Sequence, residues 1–276
     1  MHLRGVKRCK AVGTQQPSKD APSSATILAM TIRFPGFPRQ MPAFFRDLER
    51  NNNRDWFAPR KELFATRIRT PMVELVTLLN DGFRTFAVDH VADDPAKTIY
   101  RLYRDTRFSR DKTPYKTHIG ATFHHRTLPR HAGAGFYFEI SHRYVGIAGG
   151  VYMPGPEELQ AVRQAIAKDP RKFLAVVEDK TIRRLLGSLQ GEKLVRLPKV
   201  FHASADSAVA EWLKFKQFYW WVELPSSLAL TPRLPGVLLR YFQALTPAMQ
   251  WFNAVLLADL RRHEDHDRPQ RPTPMW

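Results

Sequence analysis

An α+β fold is the expectation here: a single domain with a mainly antiparallel sheet flanked by N-terminal and C-terminal helices. Three observations predict it. Apolar residues recur at helical spacing from Met41 to Leu79, the period shortens to two between residues 98 and 152, and helical spacing returns from Leu159 onward. Strands grouped between helices, without a repeating strand–helix–strand alternation, belong to an antiparallel-dominated sheet.

Each element has its own signal. Met41, Phe44, Phe45 and Leu48 form an apolar stripe that stops at Asn51, Asn52 and Asn53. Asp55 then stands where a cap for the next helix is expected, and Trp56 and Phe57 enter the core. Pro59 suits a first helical position ahead of Leu63, Phe64 and Ile68. Thr70-Pro71 restarts a helix through Val73, Val76 and Leu79, ending at Asp81-Gly82. Residues 98–108 alternate and predict a strand, with a turn over 109–114 and a returning strand over 118–124. Residues 135–141 and 144–152 flank His142-Arg143 as a hairpin. Gly146 to Gly150 marks a bulge or a close backbone contact.

Glu157 and Glu158 open a helix carrying Leu159, Val162 and Ile166, since first-turn carboxylates complement the helix dipole. Further helices are expected over 171–178, 180–186 and 206–215, with strands over 193–197 and 217–223. Residues 237–260 predict two helices broken at Thr246-Pro247. The domain is expected over 31–260, between a disordered leader (1–30) and a disordered tail (261–276), both rich in Pro and polar residues.

Composition narrows the function classes. No apolar run reaches the roughly 20 residues that span a bilayer, so no membrane insertion is expected. The lone Cys9 excludes an internal disulfide framework and a thiolate zinc site, and the cytoplasm is the expected location. The net charge is +17, of which residues 31–260 hold +12, so the excess belongs to the folded part. Such a field favours nucleic acid, acidic surfaces or phosphorylated small molecules as partners. Arg outnumbers Lys 29 to 14, which codon bias alone would also produce.

The densest chemistry lies between Arg101 and Thr117. Arg101, Arg104, Arg107, Arg110, Lys112 and Lys116 alternate there with Asp105, Asp111, Tyr103, Phe108 and Tyr115. An Arg fork can be fixed bidentately by a neighbouring carboxylate. If strand end and turn curl together, Arg101, Arg104, Arg107, Lys112 and Lys116 face one hollow. Asp105 or Asp111 would then orient the cations or act as a base, with Tyr115 as proton donor and Asn52 lining the same cavity. The structural alternative is a lattice of ion pairs that holds the fold and buries Arg stems under aromatics.

Several patterns resemble a known family. They are Phe45-x-x-Leu48-x-x-Asn51-Asn52 with Trp56-Phe57, and Arg101-x-x-Arg104-Asp105-x-Arg107-Phe108-Ser109-x-Asp111-Lys112-x-Pro114-Tyr115-Lys116. Gly149-Gly150-x-Tyr152-x-Pro154 and Leu197-Pro198-Lys199 complete the set. Over roughly residues 34–255 the chain resembles the conserved hypothetical proteins of domain of unknown function 2461. The resemblance implies a single domain and attaches no settled activity or cofactor, so the cofactor stays unknown. One departure is Val200-Phe201, where the family pattern has Gly after the Pro-Lys pair.

Other motifs are weaker. No two histidines show the spacing of a helical metal site, and His118 and His124 on an extended strand would stand ~20 Å apart. No nucleophile elbow, P-loop or dinucleotide fingerprint occurs. Lys214 to Trp221 is a basic-aromatic cluster of the kind that stacks single strands, although alternation sends half its rings into the core. The first functional expectation is therefore a basic pocket for a small anionic or phosphorylated ligand, with catalysis open. The alternatives are a nucleic-acid-binding face and a scaffold with a purely structural Arg/Asp network.

Overall fold

The computed structural model describes residues 34–266 apart from His131 and Ala205, and side chains up to His263. The expected leader and the end of the expected tail lie outside the described residues. Helix α1 (Gln40–Arg50) buries Met41, Phe44, Phe45 and Leu48 along one stripe. It stops where the Asn51 side chain and backbone N–H both donate to Asp47 O, at 2.9 and 3.0 Å. Asn53, not Asp55, caps α2 (Arg54–Phe57), accepting from Trp56 N at 2.9 Å. Asp55 occupies the first turn instead.

From there the chain stays helical through α3 (Lys61–Phe64) and α4 (Thr70–Phe83). The expected restart at Thr70-Pro71 is a widened π turn over Ala65–Arg69. Pro71 has no N–H to give, and the extra residue in the turn keeps its ring off the preceding carbonyls. Thr70 Oγ1 donates to Ala65 O at 3.0 Å within that turn.

Four strands form an antiparallel meander in the order β1-β2-β3-β4: β1 (His118–Phe123), β2 (Gly135–Ser141), β3 (Tyr144–Val151) and β4 (Phe218–Pro225). The register aligns Phe123, Phe136, Gly149 and Trp220 across the sheet, and likewise Ala121, Phe138, Ile147 and Val222. These residues face the helices. Period-two alternation sends Thr122, Tyr137, Ala148 and Trp221 to the opposite face.

Behind the sheet, α5 (Pro156–Lys168), α6 (Pro170–Val177) and α7 (Lys180–Leu186) pack around α8 (Leu234–His266). Helix α8 does not break at Thr246-Pro247 and runs beyond the expected end of the domain at 260. Leu245, Ala248, Met249 and Phe252 around the proline are all fully buried. Their burial offsets the ~3 kcal/mol that an interior proline costs. Phe242 of α8 stands among Phe83, Phe123, Phe136 and Phe138, with ring centroids 5.3 to 6.5 Å away.

A polar tie lies at the end of the same interface. Asn253 of α8 accepts from Ala134 N (2.8 Å) and donates to Ala134 O (3.1 Å), and His90 Nε2–H donates to that carbonyl at 3.0 Å.

Three expected elements are absent. Residues 98–108 make only isolated bridges, Ile99 to Ala121 and Tyr103 to Tyr115. Side-chain oxygens of Asp105 and Asp111 take the N–H groups of Arg107 and Thr113, and these local bonds replace a ladder. Residues 193–197 contribute a single bridge, Lys193 to Phe215, and the expected helix over 206–215 is a short 3-10 turn, Trp212–Lys214. Residues 193–197 include no buried side chain and 206–215 bury only Val209, Leu213 and Phe215, which leaves too little apolar surface to support a regular element. The described residues form one α+β domain.

Candidate functional site

The cations of the 101–117 segment do not converge. Arg104 donates to Asp111 and Thr113, while Arg107 grips Asp105 bidentately at 3.1 and 2.7 Å. Lys112 Nζ donates to Thr106 O at 2.9 Å. The Arg107 side chain holds Asp105 down to about 2, and Arg104 does the same to Asp111. Arg101 is exposed, and Phe108 is 94% exposed at the tip, with the Arg107 guanidinium 5.7 Å from its ring centroid. Each carboxylate is thus committed to a cation two or seven residues away in its own loop. Exposed pairs of this kind add little stability and mainly shape the segment.

Asn52 and Tyr115, expected as site groups, meet each other. The Asn52 amide donates to Tyr115 O (2.9 Å) and accepts from Tyr115 N (3.0 Å), docking the segment against the start of α2 as a strand neighbour would. The Tyr115 ring is buried against Phe57 at 4.4 Å between centroids, so it is a packing group in this arrangement. Asn52→Ala is expected to destabilise the domain by about 1–3 kcal/mol, because two part-buried backbone groups lose their partner. Trypsin cleavage between Arg101 and Lys112 should accelerate with it. Unchanged urea unfolding and unchanged cleavage would show that the segment is anchored elsewhere.

A concave place lies over the open face of the sheet. A cavity of about 630 Å³ is lined there by Tyr100, Lys116, Tyr137, Glu139, Tyr219 and Trp221, with Arg130, Gln190 and Tyr152 among its other lining residues. Of the residues expected as site groups, Lys116 alone lines this cavity.

Its shape follows from residue size along the strands. Beyond Tyr144, the open face of β3 carries only Gly146, Ala148 and Gly150. A Cβ on Gly146 would come within 2.2 Å of the Trp221 ring, so the indole lies flat where a side chain would stand. Gly150 has φ +145° and brings its backbone against Phe218 O, where a Cβ would stand at 2.1 Å. Of the bulge or close backbone contact expected over Gly146 to Gly150, the structure has the close contact, at Gly150. The Tyr137 and Trp221 rings lie within 27° of parallel, 6.5 Å apart, and Tyr152 packs edge-on to Tyr219 at 5.3 Å.

Glu139 is the polar centre of this face. It is 7% exposed and accepts from the phenols of Tyr137 and Tyr144, the latter at 2.7 Å. His118 Nε2 stands 3.4 Å from the same carboxylate. Burial, reinforced by the neighbouring Glu139, pushes both phenols well above the usual tyrosine range. Burial also lowers His118, with Glu139 partly opposing it. A carboxylate with two phenolic donors and an imidazole can hold, give or take a proton inside the cavity.

Lys116 stands apart from Glu139's hydrogen bonds. Its Nζ sits 4.7 Å from the centroid of the Tyr100 ring, whose hydroxyl accepts from Thr122 Oγ1 at 3.0 Å. Half burial lowers the ammonium and the charge of nearby Arg101 lowers it further, with Glu139 partly opposing both. Among the described residues no set of three His, Cys, Asp or Glu is placed to hold a metal ion.

Sequence reasoning passed over Tyr137, Glu139, Tyr144 and Trp221 as site groups. A signal existed for two of them: alternation over 135–141 puts Tyr137 and Glu139 opposite Phe136, Phe138 and Ile140. In the Lys214 to Trp221 cluster, Phe218 and Trp220 go to the core, while Tyr219 and Trp221 face the cavity.

A search of curated proteins and of solved structures finds no match to the chain. One family model matches residues 40–251, spanning α1, the sheet and most of α8, including every residue of the cavity named above. The chain belongs to the family described as conserved hypothetical protein (DUF2461).

Proposed function

We propose that this protein binds a small anionic ligand with a planar or ring portion in the cavity on the open face of its sheet. Lys116 would meet the anion, and the Tyr137, Tyr219 and Trp221 rings would hold the flat part. The observation that carries this reading is the combination of a half-buried ammonium with aromatic walls in one cavity of about 630 Å³. That volume lies in the range of small-molecule sites, which are mostly apolar with a few placed polar groups. The Arg/Asp pairs of the 101–117 segment are read as local locks, because each charge is met by a neighbour in its own loop.

Thermal-shift titration with sugar phosphates, nucleoside monophosphates and aromatic carboxylates tests the proposal. At least one class should raise the melting temperature. Lys116→Met should weaken that ligand about 10- to 100-fold, as loss of a charge-assisted contact does. Trp221→Ala should weaken it too.

The rings on an open sheet face also fit a single-strand platform, and a short oligonucleotide is the second arm of the test. An affinity falling by roughly 10³ between 50 and 200 mM salt would favour that alternative. If no small anion binds, the pocket reading is wrong.

A further inference from the structure

We propose that Lys116 forms an imine with the carbonyl carbon of a small anionic aldehyde or 2-oxo acid held in the sheet-face cavity. This deepens the pocket reading, on which it rests, by naming a substrate class. The geometry is that of an amine kept available. Lys112, Lys172 and Lys214 are each tied to an oxygen, at 2.9 Å for Lys112 and 3.1 Å for Lys172. Lys116 Nζ makes no hydrogen bond and no ion pair among the described residues, and rests on the face of Tyr100. A cation removed from water is ordinarily paired, because an unpaired one is costly. One resting on a ring beside a second cation, Arg101, loses its proton more readily, with the charge of Glu139 partly opposing, and its neutral form is the nucleophile.

The neighbours suit the chemistry. The neutral amine adds to the carbonyl carbon to give a carbinolamine. The former carbonyl oxygen then leaves as water, carrying the two hydrogens that the amine nitrogen gives up, and a carbon–nitrogen double bond remains. No oxidant or reductant enters. The hydrogens need a relay between nitrogen and oxygen, and Glu139 with Tyr137 and His118 lies on the same face to serve as one. The charged and titratable groups around the amine are Tyr100, Arg101, His118 and Glu139.

Glyoxylate is the probe, with cyanoborohydride to reduce the imine to a stable amine at pH 7, followed by peptide mapping. Lys116 should be modified about tenfold or more faster than the exposed, ion-paired Lys97 and Lys172, since activation of a lysine by desolvation acts on rate. Lys116→Arg should fold with an unchanged melt and lose the selective adduct. Modification of Lys116 at or below the rate of Lys97 overturns the proposal. Glyoxylate binding measured by thermal shift without reductant separates the two readings. Binding with no selective adduct leaves the pocket and removes the imine. A selective adduct on Lys116 without measurable anion affinity supports the imine and counts against the pocket's anion preference.

Discussion

Phe242→Ala lowers the stability of the domain by about 3–5 kcal/mol, the cost of deleting a buried aromatic and leaving its space unfilled. Phe242 is fully buried and touches a ring from α4 (Phe83), one from β1 (Phe123) and two from β2 (Phe136 and Phe138). The Phe83 ring stacks on it at 26°, so its neighbours hold one another as well as Phe242 and cannot collapse freely into the gap. For a domain of this size each kcal/mol shifts the melting temperature by about 2–4 °C, so the expected fall is roughly 6–20 °C. Thermal unfolding followed by circular dichroism measures it, and Phe242→Leu should fall between variant and parent. A change below about 1 kcal/mol would mean that α8 is held to the sheet by contacts other than this ring cluster.

Acid should unfold the protein through His90. The ring is 4% exposed, and burial pushes it down to about 4, with the Ala134 carbonyl partly opposing the shift. Its folded value lies below the unfolded one of about 6.5. The unfolded chain therefore binds more protons between those values, and stability rises with pH through that window. The contribution is complete above pH 6.5 and is lost progressively as pH falls towards 4, about 3 kcal/mol in all from a shift of this size. His118 is lowered for the same reason and adds to the trend. Urea unfolding at pH 7 and pH 4.5 gives the slope, and His90→Asn should flatten it while lowering stability at pH 7. An unchanged slope in that variant would assign the acid sensitivity to other groups. Asp105 and Asp111 act lower, their pairing being lost only as pH falls below about 4 towards 2.

The helices and the hairpin were legible because their signals are local. Met41, Phe44, Phe45 and Leu48 declare a buried stripe whatever surrounds them, and the segments flanking His142-Arg143 place Phe136, Phe138, Ile140, Val145 and Ile147 at alternate positions. The unbroken α8 was not legible. A proline costs a helix a fixed local amount, whereas the burial of Met249 and Phe252 beyond it depends on distant strands. The strand expected over 98–108 failed for the converse reason. Its alternation was present, but Asp105 and Asp111 found closer partners in their own backbone than the neighbouring strand offered.

For the site, residue types and their spacing show that charge and aromatic groups crowd into residues 101–117 and that Tyr137 and Glu139 share a strand face. Folding in three dimensions set Asn52 against Tyr115, Lys116 over the Tyr100 ring, and Trp221 over Gly146. Chain order records which side chains exist and which face of an element they share. The meeting of Lys116 with Tyr100 and Glu139 on one wall depends on strand register, which is set by contacts distant in the chain.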